Sequence, residues 1–386
     1  MEFIQILKIG CERIMNEEAL TIFTSGTAIP HIEAVLLKTA SHIYENKDKL
    51  RDNYLKEIKR IFIATKEFSE RTKMEVGYIA FSLLRTNLLY GKMKYDVHLY
   101  DRNWYLNDYE YVGEIDVADF FQPLEDAKEY LQIESRKFVN KVNASNVDNI
   151  ISQHLEAFSH FFIKMFKYIL VEATECSEYS EITKADIFRI TTGELYGKPY
   201  ILHIETKNRT TFGLLTENLK YEEPCQNLDL RNSDFAGKSI IEADLQYSDF
   251  RDSLLNGVDF SNSVLEGCIF ANCNLSESKF IDSQISEANF HNADLRKANL
   301  TGVVSMEGVF KNADWDSICR FPLNLKGTDL REAIIANAVL QRVDFTQAKV
   351  DGAIFTGTDL SQCKFKKEQL QHIDLTEKQK SQIVII

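Results

Sequence analysis

Large apolar residues recur at every fifth position along the second half of the chain, from Leu230 to Leu375, and the series fails only at Ser305 and Arg320. A step of five residues turns by about 140° on a helix and changes face on a flat strand, so neither element keeps these residues on one side. Only a chain that turns a corner within each five-residue segment points all of them inward. Stacked segments of this kind share one core, which predicts a parallel solenoid.

The positions around each large apolar residue follow the same period. Two places earlier the residue is usually small, and the residue between them is often Asp or Asn, as in Ala293-Asp294-Leu295 followed by Ala298-Asn299-Leu300. The small residue is predicted to face inward where there is little room, and the Asp or Asn to face outward. Cys268, Cys273 and Cys363 occupy the small position and are therefore predicted to fill the core as thiols.

This pattern resembles the pentapeptide-repeat family over about residues 226–375. The resemblance implies an all-β right-handed quadrilateral β-helix with four repeats per turn and inward ladders of Phe and Leu. On that geometry the stack Phe250, Phe270, Phe290 and Phe310 lies on one face. A rod of about seven turns at roughly 4.8 Å per turn would be about 35 Å long.

The residues before the repeat show the apolar spacing of helices and strands instead of a five-residue period. Helical spacing predicts helices over residues 3–15, 31–68, 117–140 and 146–174. Alternation of Met93, Tyr95, Val97 and Leu99 predicts a strand over Lys92–Tyr100, paired with Tyr78–Leu89 through a turn at Tyr90-Gly91, and residues 187–204 predict a short β-ribbon. The predicted fold class is thus an α+β N-terminal domain that is mainly helical (residues 1–222), followed by the β-helix (223–375). Thr376 and Gln379 have capping-box spacing, so residues 376–386 are predicted to form a C-terminal capping helix.

Charge is distributed unevenly along the repeat. The whole chain carries −13, which disfavours direct nucleic-acid binding. Residues 226–295 contain four basic and twelve acidic residues, a net of −8, whereas residues 296–375 have a net of +1. A basic partner is therefore expected to contact the first coils. The candidate contact residues there are Asp234, Asp244, Asp249, Asp252 and Asp259.

Arg320 is a further candidate contact, because it interrupts the inward series near Pro322. An isolated guanidinium is not tolerated in an apolar core. Either Arg320 pairs with a carboxylate such as Asp316, or residues 316–323 bulge outward and carry it to solvent. The proline favours the bulge, since it removes a hydrogen-bond donor from the ladder.

The sequence offers little sign of chemistry. It contains no phosphate loop, dinucleotide fingerprint, nucleophile elbow or zinc-protease helix, and its seven cysteines form no close pair. No catalytic, cofactor-binding or metal-binding residue is predicted, and no cofactor. His98, Asp101, Trp104 and Asp108 form a weak candidate cluster whose plainer interpretation is a polar loop. No apolar run is predicted to cross a membrane and the chain start lacks a basic signal segment, so we expect a cytoplasmic protein.

Three functions remain open. The first is a non-catalytic protein–protein interaction or scaffold module built on the rigid rod. The second, implied by the family resemblance, is a DNA-mimicking modulator of DNA gyrase or topoisomerase IV that protects the enzyme from inhibitors. The third is an enzyme in the N-terminal domain. The expected partner is a protein, with neither direct nucleic-acid nor membrane binding, and a homodimer is left open.

Overall fold

A five-stranded sheet lies at the centre of the N-terminal part. The computed structural model describes residues 16–84, 87, 91–139, 141–195, 197, 199–207, 213, 215–216, 219, 225–309 and 318–386. The strands are β1 (Val76–Leu83), β2 (Lys94–Tyr100), β3 (Glu110–Asp116), β4 (Lys184–Glu194) and β5 (Tyr200–Thr206), in the order β3-β2-β1-β4-β5. All neighbours are antiparallel except β1 and β4, which run parallel.

The predicted strand pairs are present within this larger sheet. β1 and β2 pair with Tyr78 opposite Tyr100, and β1 ends at Leu83 rather than at Leu89. The proposed turn residue Tyr90 and the helix over residues 3–15 lie outside the described residues. The ribbon predicted over residues 187–204 consists of β4 and β5, with Ile187 opposite Thr206.

Helices cover one face of the sheet: α1 (Ile29–Glu45), α2 (Lys47–Thr72), α3 (Ala118–Ser135), α4 (Ala144–Ala173) and the single turn α5 (Ser177–Ser180). The helical residues predicted over 31–68 form two helices, α1 and α2, divided at Asn46, whose backbone leaves the helical region. Asn143 and Asn146 form a reciprocal capping box at the start of α4. Phe162 and Phe166 of α4 stack with ring centroids 4.0 Å apart beneath the sheet residues Phe81 and Tyr95.

The first described helix is apolar over much of its length. Asn16–Glu45, which includes a π-helical turn at Thr24–Ala28, is long and apolar enough to cross a membrane by length and composition, although the sequence reading had expected no such segment. Its residues Ile32, Leu36, Ala40 and Ile43 are buried in the N-terminal core. A mostly buried core helix and a signal sequence pass the same test of length and composition, and 22% of the apolar window is buried here.

The repeat forms stacked coils, which we call the rod (residues 225–307 and 323–375). Parallel bridges join residues twenty apart, such as Asp249 with Ile269 and Ile269 with Asn289, so each coil contains four five-residue segments. Phe270 and Phe290 are buried and stack with centroids 5.0 Å apart and ring planes 13° apart, as predicted. Cys268, Cys273 and Cys363 are also buried, as predicted for the small inward position.

The coil spacing changes once. Asn289 bridges Asn324 and Val304 bridges Val339, so the separation rises from twenty to thirty-five residues. Fifteen residues, 308–322, have therefore left the rod, and we call them the inserted segment. The residue above Phe290 is Leu325, because Phe290 bonds to the carbonyl of Asn324. Phe310, the predicted fourth member of the ladder, therefore does not hold that place, and its own structure lies outside the described residues.

The inserted segment packs on the N-terminal part. Strands β6 (Val304–Met306) and β9 (Val339–Gln341) lie in the rod, while β7 (Gly308–Val309) pairs antiparallel with β8 (Cys319–Arg320). Ile318, Cys319 and Phe321 belong to the N-terminal core rather than the core of the rod. The Phe321 ring stacks on Tyr168 of α4 at 4.8 Å. The break in the repeat thus joins the two parts of the chain.

The last residues close the far end of the rod. Helix α6 (Glu377–Gln382) begins with the capping box of Thr376 and Gln379 that the sequence indicated. Gln379 is buried and donates from its side chain to the carbonyls of Phe355 and Thr358. Strand β11 (Val384–Ile385) then pairs parallel with β10 (Lys364–Phe365). The apolar tail therefore extends the ladder of the rod instead of continuing the helix.

Candidate interaction surfaces of the rod

Outward side chains form regular rows along the rod. Each row contains the residue just before the large inward one in successive coils, and adjacent members are about 4.8 Å apart. The row beside the N-terminal part, here the covered row, begins Asp229, Asp249, Ile269, Asn289 and Asn324. The first free row is Asp234, Leu254, Asn274, Asp294, Asp329 and Lys349; the second is Ser239, Asp259, Lys279, Asn299, Ile334 and Ile354; the third is Asp244, Val264, Gln284, Val304, Val339 and Asp359.

The covered row is closed by ionic contacts. The Thr206 backbone amide donates to Asp229 at 2.9 Å, and Arg251 pairs with Asp249 at 2.6 Å while donating to Thr174 at 3.3 Å. Asp229 and Asp249 are only 2% and 4% exposed. Asp249, a predicted partner contact, is therefore used inside the molecule.

Two lysines of α4 make the central contacts with the rod. The Lys164 ammonium lies 2.9 Å from Glu287 and 3.8 Å from Glu266, and it donates to the Cys319 carbonyl at 2.9 Å. The Phe321 amide donates to the same Glu287 carboxylate at 2.9 Å. Burial disfavours the charge on Lys164, but Glu287 and Glu266 outweigh it and raise its pKa.

Arg320 belongs to the same ionic cluster. One guanidinium nitrogen lies 3.8 Å from Glu266, and the side chain is 17% exposed. The two arrangements predicted for Arg320, an outward bulge and pairing with a carboxylate, occur together: the chain leaves the regular coil, and Arg320 lies beside a carboxylate. That carboxylate is Glu266 of the rod, while Asp316 lies outside the described residues. The candidate contact at Arg320 thus faces the molecule's own interior junction.

Lys167 lies one helical turn from Lys164. Its ammonium lies 3.4 Å from the centroid of the Tyr247 ring and donates to Asn227 at 3.3 Å. Gly267, with φ of +67°, permits this arrangement because a Cβ there would overlap the Tyr247 ring. Burial lowers the pKa of Lys167 to about 7.

This lowered pKa predicts a pH-dependent stability. The unfolded chain holds the Lys167 proton up to its ordinary value of 10.5, whereas the folded protein releases it near 7, so stability rises with pH between these values. Over this pH range we expect the free energy of unfolding of the wild type to increase, relative to that of K167M, by about 1.4 kcal/mol per pH unit. Below this pH range Lys167 is protonated in both the folded and the unfolded protein, so the difference in stability between wild type and K167M does not change with pH. Urea unfolding of both proteins across the window measures this, and parallel pH profiles would contradict it.

The remaining predicted acids divide by exposure. Asp234, Asp244 and Asp252 are exposed on the first coils. Asp259 is half-buried in the second free row, where Lys279 lies 3.3 Å from it. Three of the five predicted contact carboxylates are therefore available to a partner.

The weak cluster around His98 does not form a common site. His98 is buried, with Nδ1 3.1 Å from Ser82 Oγ, and Tyr109 packs edge-on against its ring. Burial lowers the His98 pKa, which favours a neutral imidazole. Asp101 instead accepts from the Asn103 amide at 2.7 Å and the Asn107 side chain at 2.6 Å. Trp104 stacks on Tyr100, and no metal-holding cluster occurs among the described residues.

Sequence reasoning missed Lys164, Lys167, Glu266 and Glu287. Around these two lysines the helix is apolar, and Phe161, Phe162 and Phe166 are buried. The available signal was a pair of lysines three residues apart on the apolar side of that helix. Such charges are buried only when they are paired, which pointed to an acidic partner within the chain.

Comparison with known proteins supports the repeat. The family model described as pentapeptide repeats matches eight copies, at residues 253–290, 265–302 and 324–376. The unmatched residues 303–323 include the inserted segment. No curated protein matches the chain.

Solved structures of pentapeptide repeat proteins match part of this chain. QnrB1, a plasmid-mediated fluoroquinolone resistance protein, is 20% identical, with 42% of this chain and 83% of that chain covered and a TM-score of 0.23. HetL, a pentapeptide repeat protein involved in heterocyst differentiation regulation in the cyanobacterium Nostoc, is 19% identical, with 43% and 91% covered and a TM-score of 0.18. A pentapeptide repeat protein from the Arabidopsis thaliana thylakoid lumen is 20% identical, with 41% and 74% covered and a TM-score of 0.12.

Proposed function

Because the C-terminal region of this chain consists of pentapeptide repeats, we propose that the protein is a non-catalytic protein-interaction module whose rod is a right-handed, four-sided β-helix. One observation supports this most directly. The N-terminal part buries the start of the covered row, whereas no residue of the three free rows is buried. The rod therefore has one side fixed to its own chain and the others open to a partner.

The chemistry of the free rows indicates the partner. The first coils present Asp234 and Asp244, while the second free row ends in Ile334 and Ile354, which are 37% and 47% exposed. A folded protein that lies along the rod would meet carboxylates at one end and an apolar pair at the other. Coil-to-coil hydrogen bonds hold these positions at fixed spacing, so little order is lost on binding.

Site-specific photo-crosslinking tests the module. A photoreactive residue at Gln284 in the third free row, or at Ile354 in the second, should yield a discrete protein adduct in cells. The same residue at Ile269, which is 8% exposed in the covered row, serves as the matched control. Adducts from Ile269 alone, or none from either free-row position, would contradict the proposal.

The second candidate is modulation of DNA gyrase or topoisomerase IV through imitation of DNA. The exposed carboxylates of Asp234, Asp244 and Asp252 favour it, because a protein surface that binds DNA is basic. These three lie on the first coils, where the acidic excess is concentrated. A large N-terminal part packed along one side of the rod distinguishes this chain from a rod that is acidic on all sides.

Charge reversal tests this second candidate. Changing Asp234, Asp244 and Asp252 to Lys should abolish any effect on gyrase supercoiling and flatten its dependence on salt. The control triple Asp351, Glu368 and Asp374 to Lys makes the same change of charge at exposed positions near the far end. If wild type leaves supercoiling unchanged, or if both triples act alike, the DNA-mimic function is rejected.

We also propose a cytoplasmic location and no cofactor. The thiols of Cys268, Cys273 and Cys363 are free and buried, which is compatible with a reducing compartment. Their role in this proposal is packing. A homodimer and a single-chain module remain alternatives.

A further inference from the structure

A cleft opens between helix α4 and the rod, next to the inserted segment. Its volume is about 580 Å³, within the usual range for small-molecule sites. Lys167 and Tyr168 line it from α4, Tyr247 and Lys326 line it from the rod, and Phe321 lines it from the inserted segment. The junction between the two parts of the chain therefore leaves a space that a small molecule can enter.

Lys167 contributes a half-buried amine to this cleft. Its nitrogen lies 3.4 Å from the centroid of the Tyr247 ring, which also lines the cleft, and 3.3 Å from the side-chain oxygen of Asn227. Both of these groups are uncharged, so they hold the nitrogen in place without requiring it to carry the extra proton. Lys167 is thus an amine that a ligand in the cleft can reach.

The two lysines of α4 that face the rod differ in protonation. Burial lowers the pKa of Lys167 to about 7, and the nearby Lys164 ammonium adds to this effect. Glu287 and Glu266 oppose it at Lys167 and raise the pKa of Lys164, which stays charged. At neutral pH about half of Lys167 is therefore the free amine, against roughly one part in three thousand for a lysine of pKa 10.5. A desolvated lysine beside a second cation is an arrangement that activates an amine as a nucleophile.

Aromatic side chains around the cleft indicate which electrophile fits. The rings of Tyr168 and Phe321 stack at 4.8 Å, and both residues line the cleft. Tyr247 adds a third ring beside the Lys167 nitrogen. Aromatic rings attract one another in offset and edge-on arrangements, so a flat aromatic ligand gains contacts here that an aliphatic one lacks.

We propose that Lys167 forms an imine with a small aromatic aldehyde bound in this cleft. The free amine attacks the carbonyl carbon, and the electron pair of the C=O double bond moves to the oxygen. The two protons of the amine then leave with that oxygen as water, and a C=N bond takes the place of the C=O bond. No oxidant or reductant is needed for this step. The site lies at the junction and not on the free rows, so it stands or falls independently of the interaction module.

Reductive trapping on the full chain tests the proposal. Benzaldehyde is added with sodium cyanoborohydride, which reduces an imine to a stable benzylamine, and peptide mass spectrometry locates the adduct. At pH 7 Lys167 should be labelled about a hundredfold faster than Lys326, an exposed lysine at the same cleft, because far more of it is the free amine. This preference should fall as the pH rises towards 10.5, where ordinary lysines also lose their proton.

Two variants and two conditions serve as controls. K326M removes the exposed lysine and should keep the adduct at Lys167, whereas K167M should abolish it. The preference for Lys167 should disappear in urea-unfolded protein, and it should be smaller with propanal, which has no ring to contact Tyr168 and Phe321. The proposal is overturned if folded protein forms no adduct, if Lys167 and Lys326 react equally, or if propanal and benzaldehyde show the same preference.

Discussion

Truncation of Phe290 to Ala is expected to lower the free energy of unfolding by about 3–5 kcal/mol, the usual cost of deleting a buried aromatic side chain. Phe290 is fully buried, stacks on Phe270 at 5.0 Å and meets Phe280 edge-on at 5.8 Å. A neighbouring coil cannot collapse into the cavity, because its backbone is held by bonds to the coils above and below. Urea denaturation followed by circular dichroism measures the loss.

The matched control for Phe290 is L254A. Leu254 is 51% exposed in the first free row, so its truncation should cost less than about 0.5 kcal/mol. A loss below about 1 kcal/mol for F290A would mean that Phe290 contributes little to the core. Equal losses for the two variants would contradict the assignment of inward and outward positions.

The second large effect is expected at the junction. E287Q should destabilise the protein by about 3–5 kcal/mol, because it leaves the Lys164 ammonium buried with its main partner neutralised. The two side chains are 7% and 8% exposed. Glu287 also accepts from the Phe321 amide, a bond that a glutamine oxygen can still accept, so the expected loss comes from the charge.

Two further variants make this result specific. E277Q, at an exposed corner of the rod, should change stability by less than about 0.5 kcal/mol. The double variant K164M/E287Q removes the buried ammonium, keeps an acceptor for the Phe321 amide and should recover most of the loss. If the double variant is less stable than E287Q, the loss does not come from an uncompensated charge.

The sequence predicted the rod well because its signal is local. Each five-residue repeat determines one corner of the coil, and Phe270 and Phe290 stack on each other in successive coils, as predicted. The sequence predicted a bulge over residues 316–323, but the full length of the inserted segment was missed because its fifteen residues are a multiple of five. The five-residue period continues across the inserted segment, but each later repeat lies on a different side of the coil from the side predicted. Leu325 therefore lies above Phe290, where Phe310 was predicted.

The N-terminal sheet was only partly predictable. Strands β1 and β2 are close to each other in sequence, and β2 shows a clear alternation of apolar and polar residues. The parallel pair β1–β4 joins Val76 to Lys184, and no local pattern indicates a partner so distant. Similarly, Asp249 was expected at a partner surface because the sequence cannot show that Thr174 and Arg251 meet there.

The inserted segment also has a consequence for the order of folding. Neighbouring coils contact each other across only twenty residues, so the rod can grow from any pair of coils with little cost of loop closure. The contact of Lys164 with the Cys319 carbonyl spans 155 residues and requires both parts to be formed. We therefore expect docking to be a late step, because closing a loop of this length costs more entropy than joining neighbouring coils. Until then the apolar residues Ile318 and Phe321 remain uncovered, and a nascent chain at this stage would be exposed to aggregation.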